Sequence, residues 1–409
     1  MSCRNNSNNL SNKLEIPIMK TILLIITLTL LTSPFKTDCP KAGYNNEPNR
    51  KSALNPADEN TKVIDVFGSG HSDLSFKSIE LIPIETLPDV LIGDFLQLKI
   101  DFEGDDFYIS SNTNQKEIFR FNKEGKFLNK IGKQGGGPKE YPSIADICVH
   151  GDIIDVLSRS ANGVKIVGYK NDGTFLYSKS INLIAYSFEW LSPGYILETS
   201  YSKAYPFRVY TTDVNGKVTG KYLPNTTGFS MAISGNHFSG LGSEAFYHEG
   251  YCDILYKTID RKLLPAYTID LREYRVPDEF YKSEPLQAFQ LLKRSAFASV
   301  LNYFETPSYA FFSIRQSPKR QGNGKELIDY IFILNKETNE LFKRSYKMRS
   351  EDFFKHPVTG SMNDEIVFLI YPHMILSDKE AFKKLAITNP EIIDRLEVDD
   401  NPVLAICKM

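Results

Sequence analysis

One local pattern recurs along this chain and restricts what it can fold into. An apolar run, a short polar turn and a second apolar run appear at Phe121–Leu128, Tyr169–Leu176 and Tyr210–Val218. The turn glycines Gly125, Gly173 and Gly216 stand 48 and 43 residues apart. A fourth copy without the glycine, Tyr256–Leu264, follows about 45 residues later, and a fifth, Ile333–Phe342, comes after a longer gap. Apolar runs flanking a polar, glycine-containing interruption predict a β-hairpin, because glycine supplies the positive φ of a tight turn. A repeat of this length cannot bury its own faces and must stack on its neighbours, which predicts a β-propeller.

Between the first two hairpins lies Gly132-Lys133-Gln134-Gly135-Gly136-Gly137-Pro138, followed by β-type runs at Ile144–Val149 and Asp152–Val156. So much glycine and proline predicts a sharply bent loop. A phosphate-binding loop would need Lys-Ser/Thr after the last glycine and then a helix. Here Pro138, Glu140 and Tyr141 come next and a strand follows, so the loop reads as a crossing between two blades. Lys133, Lys139, Glu140 and Tyr141 stand where the second inner strand begins, at the end of a propeller that commonly forms a ligand funnel. They are candidate ligand-binding residues.

The pattern resembles NHL-type repeats. More closely, it resembles the uncharacterised six-bladed β-propeller proteins exported by many Gram-negative bacteria. The resemblance is carried by KIGKQGGGPKEY (Lys130–Tyr141), IELIPIET (Ile79–Thr86), TGSMNDEIVF (Thr359–Phe368) and DDNPVLAICK (Asp399–Lys408). Lys139 departs from the pattern, standing where such crossings often carry another glycine. The resemblance implies a fold and brings no established activity.

The 409 residues are 42% hydrophobic and 24% charged, an ordinary globular composition. Their net charge of −2 leaves no basic surplus to displace counterions, which argues against a nucleic-acid partner. Residues 1–18 are polar and aperiodic and read as a disordered extension or a misplaced start. Residues 19–39 read as a signal segment: Met19-Lys20 precedes the apolar run Thr21–Leu31, which suits an export signal and is short of the roughly 20 residues that span a bilayer. Cys39 is the residue a lipid anchor would use, as in many relatives. Lys36-Thr37-Asp38 before it, however, are charged and polar where a lipobox has small apolar residues. Residues 40–61 read as a linker and residues 62–409 as the propeller. Cys148, Cys252 and Cys407 fall in blades too far apart to pair and are expected to be buried thiols.

The fold expected is all-β: one six-bladed propeller with two short helical inserts, at about 276–298 and 377–397. In the first, Ser283 is a candidate N-cap, Pro285 sits in the first turn, and Leu286, Phe289, Leu292 and Ala296 share a face. In the second, Ser377 with Glu380 reads as a capping box and Asn389-Pro390 starts another turn. Lys62–Phe67 and Phe76–Glu85 are expected to pair with the C-terminal strands, because joining first and last blades hides two open edges.

No nucleophile elbow or zinc-ligand spacing is present. The expected function is a non-catalytic ligand- or protein-binding module of the cell envelope, periplasmic or at the outer membrane or cell surface. Its partner would be a glycan or peptide, or an envelope protein if the role is purely structural. Membrane contact would come only through an N-terminal anchor. The competing expectation is a metal-dependent lyase or hydrolase with a divalent cation in the central channel, since some propellers with NHL-like blades are such enzymes. Asp146, Glu189, His237 and Asn302, one from the inner strand of each of blades two to five, would be its ligands. No other cofactor is expected.

Overall fold

The structure, a computed structural model, describes residues 61–93, 98–111, 116–161, 163–225, 230–231, 237–318, 326–347 and 353–409. The expectations for residues 1–39, the 40–60 linker and Cys39 lie outside them. The described chain forms six antiparallel sheets arranged as propeller blades. Blade one is Leu98–Glu103, Asp106–Ser111, Ile118–Asn122 and Phe127–Lys130. Blade two is Asp146–His150, Ile153–Ser160, Gly163–Lys170 and Phe175–Ile181, and blade three Ser187–Trp190, Tyr195–Glu198, Phe207–Thr212 and Val218–Pro224. Blade four is Phe238–Leu241, Glu244–Tyr247, Ile254–Ile259 and Lys262–Asp270, and blade five Phe297–Glu305, Tyr309–Ser317, Ile328–Asn335 and Leu341–Lys347. Blade six joins the two ends of the described chain: Val358–Met362, Glu365–Ile370 and Val403–Lys408 are completed by Ser78–Pro83, with Lys408 opposite Ser78 and Val403 opposite Pro83.

The recurring hairpin is the link between third and fourth strands. Gly125, Gly173 and Gly216 hold φ of +80°, +87° and +80°, each closing a turn next to a register shift in its ladder. That is the three-residue hairpin with a glycine bulge. The copy lacking glycine uses Asp260 and Arg261, both at positive φ, as a two-residue turn between Ile259 and Lys262. Asn339, also at positive φ, serves the fifth.

Faces of adjacent blades bury six apolar cores. Ile147 and Val156 pack toward blade one and Cys148 and Leu157 toward blade three, so alternation along one strand feeds two cores. Cys148, Cys252 and Cys407 are buried, unpaired and in three different cores.

Three local expectations need correction. Lys62–Asp65 does not join the C-terminal blade; it lies parallel on the outer strand of blade four, with Ile64 and Val66 buried in the core between blades four and five. Ser72–Asp73 follows, parallel on blade five. The N-terminal segment thus runs as a belt along exposed sheet edges, where unpaired N–H and C=O groups accept it, before completing blade six. In the first insert, Ser283 ends the helix Asp278–Lys282, its Oγ donating to Glu279 O at 2.7 Å, and Pro285–Arg294 starts after Glu284. Ala288 and Leu292 are its buried residues while Leu286 is 74% exposed. In the second insert, Asp378, not Ser377, caps Lys379–Lys383 by accepting from Ala381 N at 3.1 Å. Asn389-Pro390 does start a further turn, leading into Glu391–Arg395 with Asn389 O accepting from Ile392 N at 3.2 Å, and the Asn389 side chain also pairs with both backbone groups of Leu81.

Candidate functional site

The innermost strand of each blade has one backbone edge turned to the channel, and that edge needs partners. Side chains of the preceding blade supply them. Lys99, Asp101 and Glu103 alternate along the inner strand of blade one. The Lys99 ammonium donates to Ile147 O, Asp101 Oδ2 accepts from Val149 N at 3.1 Å, and Glu103 Oε1 accepts from Gly151 N at 3.1 Å. Asp146 continues the series, accepting from Phe188 N at 3.0 Å and Ser187 Oγ at 2.8 Å, and pairs with Lys99 Nζ at 2.8 Å. Ser239 Oγ donates to Tyr303 O at 3.1 Å, and Asn302 Nδ2 to Val358 O at 3.2 Å. The Glu189 carboxylate lies against Gly240, where a Cβ would sit 3.0 Å from its Cδ.

Lys99 is thus a resident cation among three carboxylates, the buried Asp146 and Glu189 and the half-buried Asp101. Burial pushes Glu189 up to about 8 and Asp101 up to about 6, with the Lys99 charge opposing both shifts. Burial works to lower the Lys99 pKa, but Asp146, Glu189 and Asp101 hold it above its ordinary value.

A second polar cluster lies between blades three and four. Arg208 Nε donates to Glu249 Oε1 at 2.6 Å, and the Tyr201 and Tyr247 hydroxyls donate to the same carboxylate at 3.0 Å each. Burial would raise Glu249, yet Arg208 holds it below the usual carboxylate range. Nearby, His237 Nδ1 lies 2.6 Å from Glu198 Oε2, which raises the His237 pKa against the effect of burial. His248, its ring 5.6 Å from that of His237, is lowered to about 3 by burial and by the His237 charge. A third cluster joins blades two and three. The fully buried Asp155 accepts from the Tyr195 hydroxyl at 2.7 Å and the Tyr177 hydroxyl at 2.9 Å, and meets His150 Nε2 at 3.0 Å. The His150 ring stacks flat on Trp190 at 4.0 Å.

In the glycine crossing, Glu140 turns back to accept from Gly137 N at 2.9 Å and fills the space where a Cβ of Gly135 would stand. Tyr141 is buried, its hydroxyl donating to Ile131 O at 3.3 Å. Lys133 and Lys139 are exposed. Of the eight candidates, Asp146 and Glu189 come together around Lys99, while His237 pairs with Glu198 and Asn302 with blade six. Among the described residues no three His, Cys, Asp or Glu side chains are placed to share a metal ion. A small hollow lined by Tyr251, Asp253, Leu271, Arg275, Val276 and Tyr281 lies beside the first insert.

The profile of one family, Domain of unknown function (DUF4934), matches residues 62–408, the whole propeller. The chain belongs to the DUF4934 family. No curated protein matches it in sequence. The DUF4934 propeller is similar in structure to a Bacteroides fragilis protein assigned as exported, with 17% identity, a TM-score of 0.66, and coverage of 83% of this chain and 98% of that one. It also matches a DUF4221-family protein of Bacteroides vulgatus (12% identity, TM-score 0.47, coverage 82% and 97%). A third match is BamB of Moraxella catarrhalis (10% identity, TM-score 0.33, coverage 64% and 78%).

Sequence reading missed Lys99, Asp101, Glu198, Arg208, Glu249 and Asp155. A signal was present: polar residues one blade period apart are partners, as with Tyr201 and Glu249, 48 apart, and Arg208 and Glu249, 41 apart.

Proposed function

We propose that this DUF4934 propeller is a non-catalytic recognition module acting outside the cytoplasm, holding a glycan or peptide on the face that carries its glycine crossing and helical inserts. The observation that carries this reading is a division of labour. The polar groups of the hub are occupied by ties between neighbouring blades, while the additions to the bare propeller lie at one end. In an antiparallel blade, the links from the second to the third strand and from the fourth to the next first strand emerge at the same end. The glycine crossing, the insert between blades four and five, and the insert within blade six are all such links. Loops on a rigid scaffold are where binding concentrates. Tyr251 and Tyr281 on that face offer aromatic surface beside the Arg275–Asp253 pair at 2.8 Å. Export is supported by the apolar run Thr21–Leu31 and by the likeness to the exported Bacteroides protein, and no helix among the described residues is long and apolar enough to cross a membrane.

The test is the melting temperature of the full chain with soluble glycans and peptides, each with EDTA and with calcium or zinc, since a ligand of the native state raises it by mass action. A rise with a glycan or peptide that EDTA leaves unchanged supports the reading. A rise that requires the metal, with turnover of the added glycan or peptide, overturns it in favour of an enzyme.

A further inference from the structure

The outer edges of the blades are treated unequally. Blade four is covered by Lys62–Asp65 and blade five by Ser72–Asp73, both parallel additions from the N-terminal belt. Blade six is covered the same way at one point: Ile387 bridges Ile79 in parallel, Ile79 N donates to Ala386 O at 2.8 Å and Thr388 N to Ile79 O at 2.9 Å. Blade one has a short outer strand, and Glu85 occupies one end of it, accepting from Phe127 N at 3.0 Å. Blades two and three have the long outer strands Phe175–Ile181 and Val218–Pro224, and among the described residues no segment is paired to either.

Charge follows the same division. Residues 163–225 hold six lysines (Lys165, Lys170, Lys179, Lys203, Lys217 and Lys221) in a chain whose net charge is −2. Their acidic residues outside the core are Asp172 and Asp213, since Glu189 and Glu198 are buried. Lys179 and Lys221 lie on the two open strands themselves. On blade four, where the edge is filled, the added strand brings Asp65 to Arg272 at 2.7 Å. An open strand edge is a template for a further strand, and lysines on it attract an acidic one and repel a basic one.

We propose that the outer strands of blades two and three, Phe175–Ile181 and Val218–Pro224, are a docking edge for an acidic, extended segment of a partner protein, which adds in parallel as the belt does on blades four and five. This inference stands apart from the ligand reading above, since it concerns the circumference and not the insert-bearing face.

Two measurements on the full chain test it. Hydrogen exchange of the free protein should show fast outward amides in Phe175–Ile181 and Val218–Pro224 and slow ones where the belt pairs with blade four, at Tyr267–Asp270. Slow exchange on the open strands would mean that the chain or a second copy already covers them, and would overturn the proposal. A displayed library of random twelve-residue peptides should then yield binders with alternating Asp or Glu. Their binding should fall by about tenfold or more in the double variant Lys179→Glu/Lys221→Glu and weaken with salt. Lys221→Glu alone, at an exposed position, serves if the double variant folds poorly. Enrichment of neutral or basic peptides, or binding indifferent to both variants, would also overturn the proposal.

Discussion

Asp146 holds four donors: the Lys99 ammonium, the Ser187 hydroxyl, and the backbone N–H groups of Phe188 and Ile147. Removing the carboxylate that pairs directly with Lys99 leaves its charge to the more distant Asp101 and Glu189 and strips the Ser187 and Phe188 donors of their acceptor. Asp146→Ala is therefore expected to cost about 3–5 kcal/mol in guanidinium unfolding, and Asp146→Asn, which keeps the shape, less. Glu189 sets a pH dependence of definite sign. Its folded pKa, about 8, lies above the unfolded value, so the folded state binds the proton more tightly. That contribution is complete below the unfolded carboxylate pKa and is lost as pH rises toward 8. Asp101, raised to about 6, and His237, also raised, act in the same direction. Glu249, held low beside Arg208, and His248, lowered to about 3, work oppositely: their contributions are lost on acidification. The melting temperature should accordingly peak in mildly acidic buffer. Glu189→Gln should flatten the decline toward pH 8, and an unchanged slope in that variant would sink the assignment. The sequence marked Asp146 and Glu189 as polar positions on inner strands. It did not say that they share a lysine, because that meeting depends on how three blades are packed.

At the level of elements, two glycines with similar backbones separate turn strain from packing. Gly151 has positive φ and open space where a side chain would go, so Gly151→Ala carries only backbone strain of roughly 1–2 kcal/mol. Gly125 has the same handedness, but its Cβ would run into Pro83 O of the strand that completes blade six. Gly125→Ala should cost clearly more in urea unfolding; equal losses would mean that the contact yields freely. The belt gives a second contrast. Ile64 is buried between blades four and five, and Ile64→Ala should cost about 2–5 kcal/mol. Val63, its neighbour, is 63% exposed, and Val63→Ala should stay within about 0.5 kcal/mol. The hairpins were legible because turn chemistry and strand alternation are local. The belt was legible only as β-type runs, since alternation announces a strand and not its neighbour.

For the molecule as a whole, the closing blade decides stability. Val403–Lys408 pairs with Glu365–Ile370 on one side and with Ser78–Pro83 on the other. Asn401 adds a buried tie, its Nδ2 donating to Glu85 O at 2.8 Å and to Val90 O at 2.6 Å, while its Oδ1 accepts from Ile92 N at 2.8 Å. A chain ending at Asp399 loses all of these and leaves two strand edges open. It should show no cooperative thermal transition by circular dichroism and should elute from gel filtration as aggregates. A cooperative melt in that variant would show that the ring does not need its last strand.

What the sequence determined by itself was the repeating unit. Spacing in the forties, turn glycines and alternating apolar runs are properties of neighbouring residues, and they were enough for the blade, the propeller and the buried thiols. Tertiary structure alone decided which groups meet. Ring closure brings Ile92 beside Asn401, 309 positions away, and stacking puts Arg208 against Glu249 and Lys99 among three carboxylates. Those contacts depend on where rigid sheets come to rest against one another. For that reason the hairpins were legible while the belt was expected on the wrong blade, and nothing local announced that Asp146, His237 and Asn302 bond across to a neighbouring blade.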